Sequence, residues 1–105
     1  MSATLVVLFN LKPDVSKTDY ENWAKNTDSK IVRQLKSVDR FDVFKTQGLL
    51  GSDQKPPYEY VEIIDVNDMD VFGGEVGTDE MGAVAKEFQA LADNPTFMLT
   101  GNIER

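Results

Sequence analysis

None of the strand-forming segments in this chain has a wholly polar face. Leu5-Val6-Val7-Leu8-Phe9 is a continuous, β-branched run closed by Pro13-Asp14, which suits a buried strand better than a helix. Successive side chains of a strand point to opposite faces, so Leu5, Val7 and Phe9 oppose Val6 and Leu8. Tyr58 to Val66 repeats the arrangement, with Val61 and Ile63 opposing Tyr60 and Ile64. Phe41 to Thr46 sets Phe41 and Val43 against Phe44, and a last strand opening at Phe97 sets Phe97 and Leu99 against Met98. A sheet built from these segments needs cover on both sides.

Two helical stretches supply cover for one side. Ser16 and Thr18 are candidate caps, Thr18-x-x-Glu21 reads as a capping box, and Tyr20, Trp23, Ala24, Ile31 and Leu35 fall on one stripe. Asn26-Thr27-Asp28-Ser29 is a candidate break, with Asp28 or Ser29 capping a second piece. Thr78 caps the other helix, with Asp79 and Glu80 favourably placed in its first turn. Its stripe is Met81, Val84, Ala85, Phe88, Leu91 and Ala92, and Asp93-Asn94-Pro95 ends it. Between them, Asn67 to Gly77 reads as polar and glycine-rich, with one helical turn near Met69–Phe72.

The order is β-α-β-β-α-β, which predicts an α+β, ferredoxin-like fold. It is an antiparallel four-stranded sheet of order 4-1-3-2 with two helices on one face. Residues 1–105 form one domain on this reading. The second apolar face calls for a partner, since burying it stabilises association by roughly 25 cal/mol per Å² before association costs. A second copy packed sheet to sheet on a two-fold axis is the simplest solution, so a homodimer, a dimeric α+β barrel, is expected.

Composition narrows the chemistry. The chain has neither cysteine nor histidine, which removes disulfides, thiolate nucleophiles, cysteine- or histidine-based metal centres and the Ser–His–Asp triad. No metal and no cofactor are expected. A net charge of −7 argues against nucleic acid and against anionic membrane surfaces. Thr4–Leu11 is too short to span a bilayer and lacks the flanks of a secretory signal, so a cytoplasmic protein is expected.

The layout, with Thr4-Leu5-Val6-Val7-Leu8-Phe9-Asn10-Leu11-Lys12, Asp19-Tyr20-Glu21-Asn22-Trp23-Ala24 and Tyr58-Glu59-Tyr60-Val61-Glu62, resembles the RedY-like family of the dimeric α+β barrel superfamily. The resemblance extends over the whole chain. It implies a small accessory or cyclase-like protein of secondary metabolism, acting on an apolar heteroaromatic intermediate of a prodigiosin-type pigment or antibiotic pathway. It also implies a ligand cleft between sheet and helices. The superfamily includes cofactor-free monooxygenases, cyclases and non-catalytic proteins, so the fold locates the pocket without naming the reaction.

Candidate residues follow. Glu62 interrupts an apolar strand on the face of Tyr60 and Ile64. It is either a solvated edge residue or a partly buried acid, the best general base in a chain without histidine. Asp42 is a second possible acid and Tyr60 a proton donor, completing a candidate catalytic set of Glu62, Tyr60 and Asp42. Tyr20 and Trp23 form a candidate aromatic wall for a small aromatic or pyrrolic ligand, beyond their packing role. Asn10 either satisfies a turn or binds a carbonyl or pyrrole N–H. Lys45 and Arg40 are candidate ion-pair partners for Glu62 or Glu59, and Lys45 is a candidate ligand contact. Gly73-Gly74-Glu75-Val76-Gly77 does not have phosphate-loop spacing and reads as a hinged lid. Three functions fit: a cofactor-free enzyme, a non-catalytic carrier that hands an intermediate to a pathway enzyme, or a cofactor-independent monooxygenase.

Overall fold

Nine elements succeed one another in the computed structural model, which describes residues 2–104. They are β1 (Ala3–Leu11), α1 (Lys17–Trp23), a π-helical turn (Ala24–Asp28), α2 (Ser29–Val32), β2 (Val38–Lys45), β3 (Tyr60–Val66), α3 (Met69–Val76), α4 (Asp79–Leu91) and β4 (Ala92–Thr100). The strands form one antiparallel sheet of order β2-β3-β1-β4, which is the expected 4-1-3-2 read from the other edge.

Register fixes the two faces. Val7 pairs with Glu62 and Phe97, and Glu62 with Val43, so these four side chains lie in one row beneath the helices. Val7, Phe9, Leu11, Phe41, Tyr60, Ile64 and Val66 are buried on that face, against Tyr20, Ala24 and Val32 of the first helical stretch and Met81 and Phe88 of α4. On the other face Val6 pairs with Ile63 and Met98, and Val61 with Leu8 and Phe44. This apolar band crosses all four strands, and Phe44 and Met98 are exposed within it.

The first helical stretch is continuous where a break is expected. Ser16, not Thr18, is its cap, accepting from the Asp19 amide at 3.0 Å. Within it the Ser29 N–H donates to the Ala24 carbonyl five residues back, the signature of a π turn. Tyr20, Ala24, Asp28 and Val32 are all buried. In a regular α-helix, residues four apart drift about 40° at each step. The wider turn cancels most of that drift and keeps all four on the inward side.

Two further expectations are corrected. Gly73 and Gly74 lie inside α3, capped by Asp68, which extends to Val76. The Glu75 carboxylate accepts from the amides of Lys36 and Ser37 and from the Ser37 hydroxyl, fastening α3 to the turn before β2. The segment is a clamped helix and not a hinged lid. Asp93-Asn94-Pro95 ends α4 as expected but already belongs to β4, which pairs Asn10 with Asp93 and shifts register before Leu8–Thr96. Asn94 takes a φ of 50°, which Asn tolerates, and this bulge lets the chain turn from helix into edge strand without a loop.

Candidate functional site

Glu62 is the site's centre. Alternation along β3 turns it inward, between Tyr60 and Ile64, with 5% of its surface exposed. Its Oε2 is buried without a hydrogen-bond partner. Burial, then the negative charge of Asp28, pushes its carboxyl up to about 8. Asp28 arrives from the opposite side on the π turn, also 5% exposed, and burial raises its carboxyl to about 7. The Tyr20 hydroxyl is buried without a partner as well, and burial together with Glu62 raises its pKa.

Asp28 and Glu62 line a cavity of about 140 Å³ between the π turn, the sheet and α4. Its other walls include Phe41, Ile64, Met81, Phe88 and Phe97, so two carboxyls are the acidic groups in an otherwise largely apolar chamber. Phe97 is exposed and stands at the mouth. Behind Phe88 lies an aromatic cluster centred on Phe9, which is 5.5 Å from Tyr20, 5.7 Å from Tyr60 and 5.0 Å from Phe88.

A larger cavity of about 350 Å³ opens on the other side of the first helical stretch, lined by Tyr20, Tyr60, Glu21, Lys25, Arg33 and Lys45 among others. The Tyr60 hydroxyl donates to Glu21 Oε2 at 2.7 Å, and Lys45 Nζ pairs with the same oxygen at 3.2 Å. These bonds hold the Glu21 carboxyl below its usual range, while burial and Glu21 raise the Tyr60 phenol.

The expected site residues divide accordingly. Glu62, Tyr60 and Tyr20 converge between sheet and helices, with Tyr20 and Tyr60 rings 4.7 Å apart. Trp23 packs on Tyr20 and Phe88, and its indole N–H donates to Glu87 at 3.3 Å, tying α1 to α4. Lys45 pairs with Glu21, not with Glu62 or Glu59; Glu59 pairs with Lys17. Asp42 sits apart from Glu62, on the outer side of the edge strand β2, where Arg40 and Arg33 bind it at 2.6 and 3.7 Å. Asn10 is a strap: its side chain donates to the Pro57 carbonyl and accepts from the Glu59 amide. Asp28 and Glu21 are the residues that sequence reasoning missed. Asp28 stands four residues from Ala24 and so borders the apolar stripe, the one available hint.

Among the described residues no cluster of three or more acidic, cysteine or histidine side chains is grouped to hold a metal ion, and no helix is long and apolar enough to cross a membrane.

The fold recurs in solved structures. HapK from Hahella chejuensis is 25% identical, with a TM-score of 0.79, over 100% of this chain and 95% of that one. A dimeric ferredoxin-like protein of unknown function from Thermobifida fusca is 14% identical, with a TM-score of 0.77, over 97% of this chain and 92% of that one. SnoaB, a cofactor-independent oxygenase from Streptomyces nogalater, is 15% identical, with a TM-score of 0.75, over 99% of this chain and 95% of that one. No curated protein sequence matches. The family model described as REDY-like protein HapK matches residues 3–103, nearly the whole chain, and the chain belongs to that family.

Proposed function

We propose that this protein is a homodimeric, cofactor-free enzyme of the cyclase or condensation type. On this reading it moves a proton on an apolar heteroaromatic intermediate of a prodigiosin-like pathway, in the cytoplasm. The observation that carries the reading is the Glu62 carboxyl, buried, unpartnered and aimed into an aromatic-walled cavity. A carboxyl held near neutrality by its surroundings is suited to take and return a proton at physiological pH. Asp28 beside it provides a second acid, so that one can be protonated while the other is ionised. The buried, unpartnered Tyr20 hydroxyl feels the Glu62 charge and is available to donate to that carboxylate when it is ionised. Tyr60, anchored by Glu21, positions the ring of Tyr20.

Dimerisation is supported by the apolar band on the outer face of the sheet and by the dimeric Thermobifida fusca relative in fold. A second copy on that band leaves the chamber on the helix side open.

The test is genetic and chemical together. Deleting the gene should make one aromatic intermediate accumulate, and supplying the wild-type protein should clear it. Glu62→Gln should fail to clear it while still dimerising. A non-catalytic carrier is the second reading, in which the chamber, smaller than a typical ligand pocket of roughly 300–1,000 Å³, would grip one ring of the intermediate. In that case Glu62→Gln would restore product, and the pure protein would bind the intermediate without converting it.

A further inference from the structure

The Asp28–Glu62 chamber has a chemistry that the reaction class does not specify. Each residue is 5% exposed, and neither carboxyl is ion-paired among the described residues: of the nearby cations, Lys45 pairs with Glu21 and Arg33 with Asp42. The groups facing Glu62 are Asp28 from the π turn and the Tyr20 hydroxyl from α1; α4 contributes Met81, Val84, Phe88 and the neutral Gln89. A buried carboxylate without a cation or several donors is costly. Nothing in the apolar walls offsets that cost. A ligand does so if it brings positive charge and N–H donors, and the aromatic rings of Phe41, Phe88 and Phe97 in the walls suit a flat cationic group. The chain's net charge of −7 draws such a ligand in.

We propose that this chamber recognises a cationic nitrogen group, such as a protonated imine, amidine or ring nitrogen on a small flat scaffold, held between the carboxyls of Glu62 and Asp28. About 140 Å³ admits a ring-sized group and no more, so the remainder of a larger ligand passes out beside Phe97. The inference rests on the chamber being the ligand site named above, but not on any reaction taking place there.

Calorimetric titration of the full chain with benzamidinium, benzamide and benzoate provides the test, because these probes share a shape and differ in charge. Benzamidinium should bind at least about tenfold more tightly than benzamide, with no measurable binding of benzoate. Glu62→Gln should remove most of the preference, and Asp28→Asn part of it. Equal affinity for benzamidinium and benzamide overturns the proposal, as does an unchanged preference in a folded Glu62→Gln protein. Should that variant fail to fold, the wild type decides. A failed metabolite rescue leaves these titrations untouched, since they read binding alone.

Discussion

Asp28 and Glu62 reach the same small chamber from opposite walls, one from a π turn and one from the inner strand β3, and each raises the question of how the fold tolerates the other. Protonation is the answer below neutral pH. Burial, with Asp28, lifts Glu62 from 4.5 to about 8, and burial lifts Asp28 from 3.8 to about 7. The unfolded chain therefore ionises these groups at lower pH than the folded one. Between the two ranges the native state holds more protons, so the contribution of this pair to stability is greatest below the unfolded values and is lost as pH rises through about 7–8.

Thermal melts across pH should show that decline. Glu62→Gln should remove much of it and raise the midpoint at pH values above that of the native group. The gain should be of the order of a few kcal/mol, since a neutral amide replaces a buried charge. A variant whose midpoint keeps the wild-type pH slope would contradict this assignment.

At acid pH the opposite sign applies to Glu21 and Glu75, whose carboxyls are held low, Glu21 by Tyr60 and Lys45 and Glu75 by Ser37 and the Lys36 amide. Their support is present above their unfolded values and lost as pH falls through the folded ones. Glu75→Ala should loosen α3 without disturbing the sheet. Hydrogen exchange should show it as faster exchange at Lys36, Ser37 and the α3 amides, with β1 and β3 unchanged.

Tyr60→Phe removes one hydrogen bond, to a carboxylate that Lys45 also holds and that water reaches. The expected cost is about 0.5–1.5 kcal/mol by denaturant unfolding. If Tyr60 positions Tyr20, ligand affinity should fall more than this stability change alone accounts for.

Asn10→Ala removes both bonds that strap the Pro57–Glu59 segment to β1, including one to the Glu59 amide. A loss of about 0.5–1.5 kcal/mol is expected, since the Pro57 carbonyl loses its Asn10 donor while the Glu59 amide keeps its 3.2 Å bond to the Phe9 carbonyl. The β2–β3 loop should become a site of early protease cleavage, which limited proteolysis would reveal.

Ile63→Lys places a charge in the middle of the outer apolar band, across from Val6. Light scattering at low micromolar concentration should find a dimer for the wild type and an 11.8 kDa species for the variant. A wild-type protein of 11.8 kDa would remove the second copy from the proposal.

The architecture was legible because alternation in strands and capping at Thr78 are local signals. Leu5 to Phe9 and Tyr60 to Val66 announce their two faces residue by residue, and the sheet order follows from crossover rules. Glu62 stood out because a charge in an apolar strand is conspicuous. Asp28 did not, because its inward turn depends on a backbone hydrogen bond that no residue type announces, and Asn26-Thr27-Asp28-Ser29 has the composition of a helix end. The Gly73-Gly74 pair misled for a related reason. Glycine weakens a helix, but the Asp68 cap on the first turn of α3 and the Glu75 clamp to the Lys36–Ser37 turn, a contact to another segment, together outweigh that tendency.

The widened turn at Ala24–Asp28 also has an evolutionary consequence. Such a turn differs from an ordinary helix by a single inserted residue, so one codon lost from this stretch would rotate the downstream helix and carry Asp28 out into water. Strand pairing and the aromatic cluster would survive the deletion. Gain or loss of the acid pair is therefore a single small genetic event, to which the length of this helix is the key.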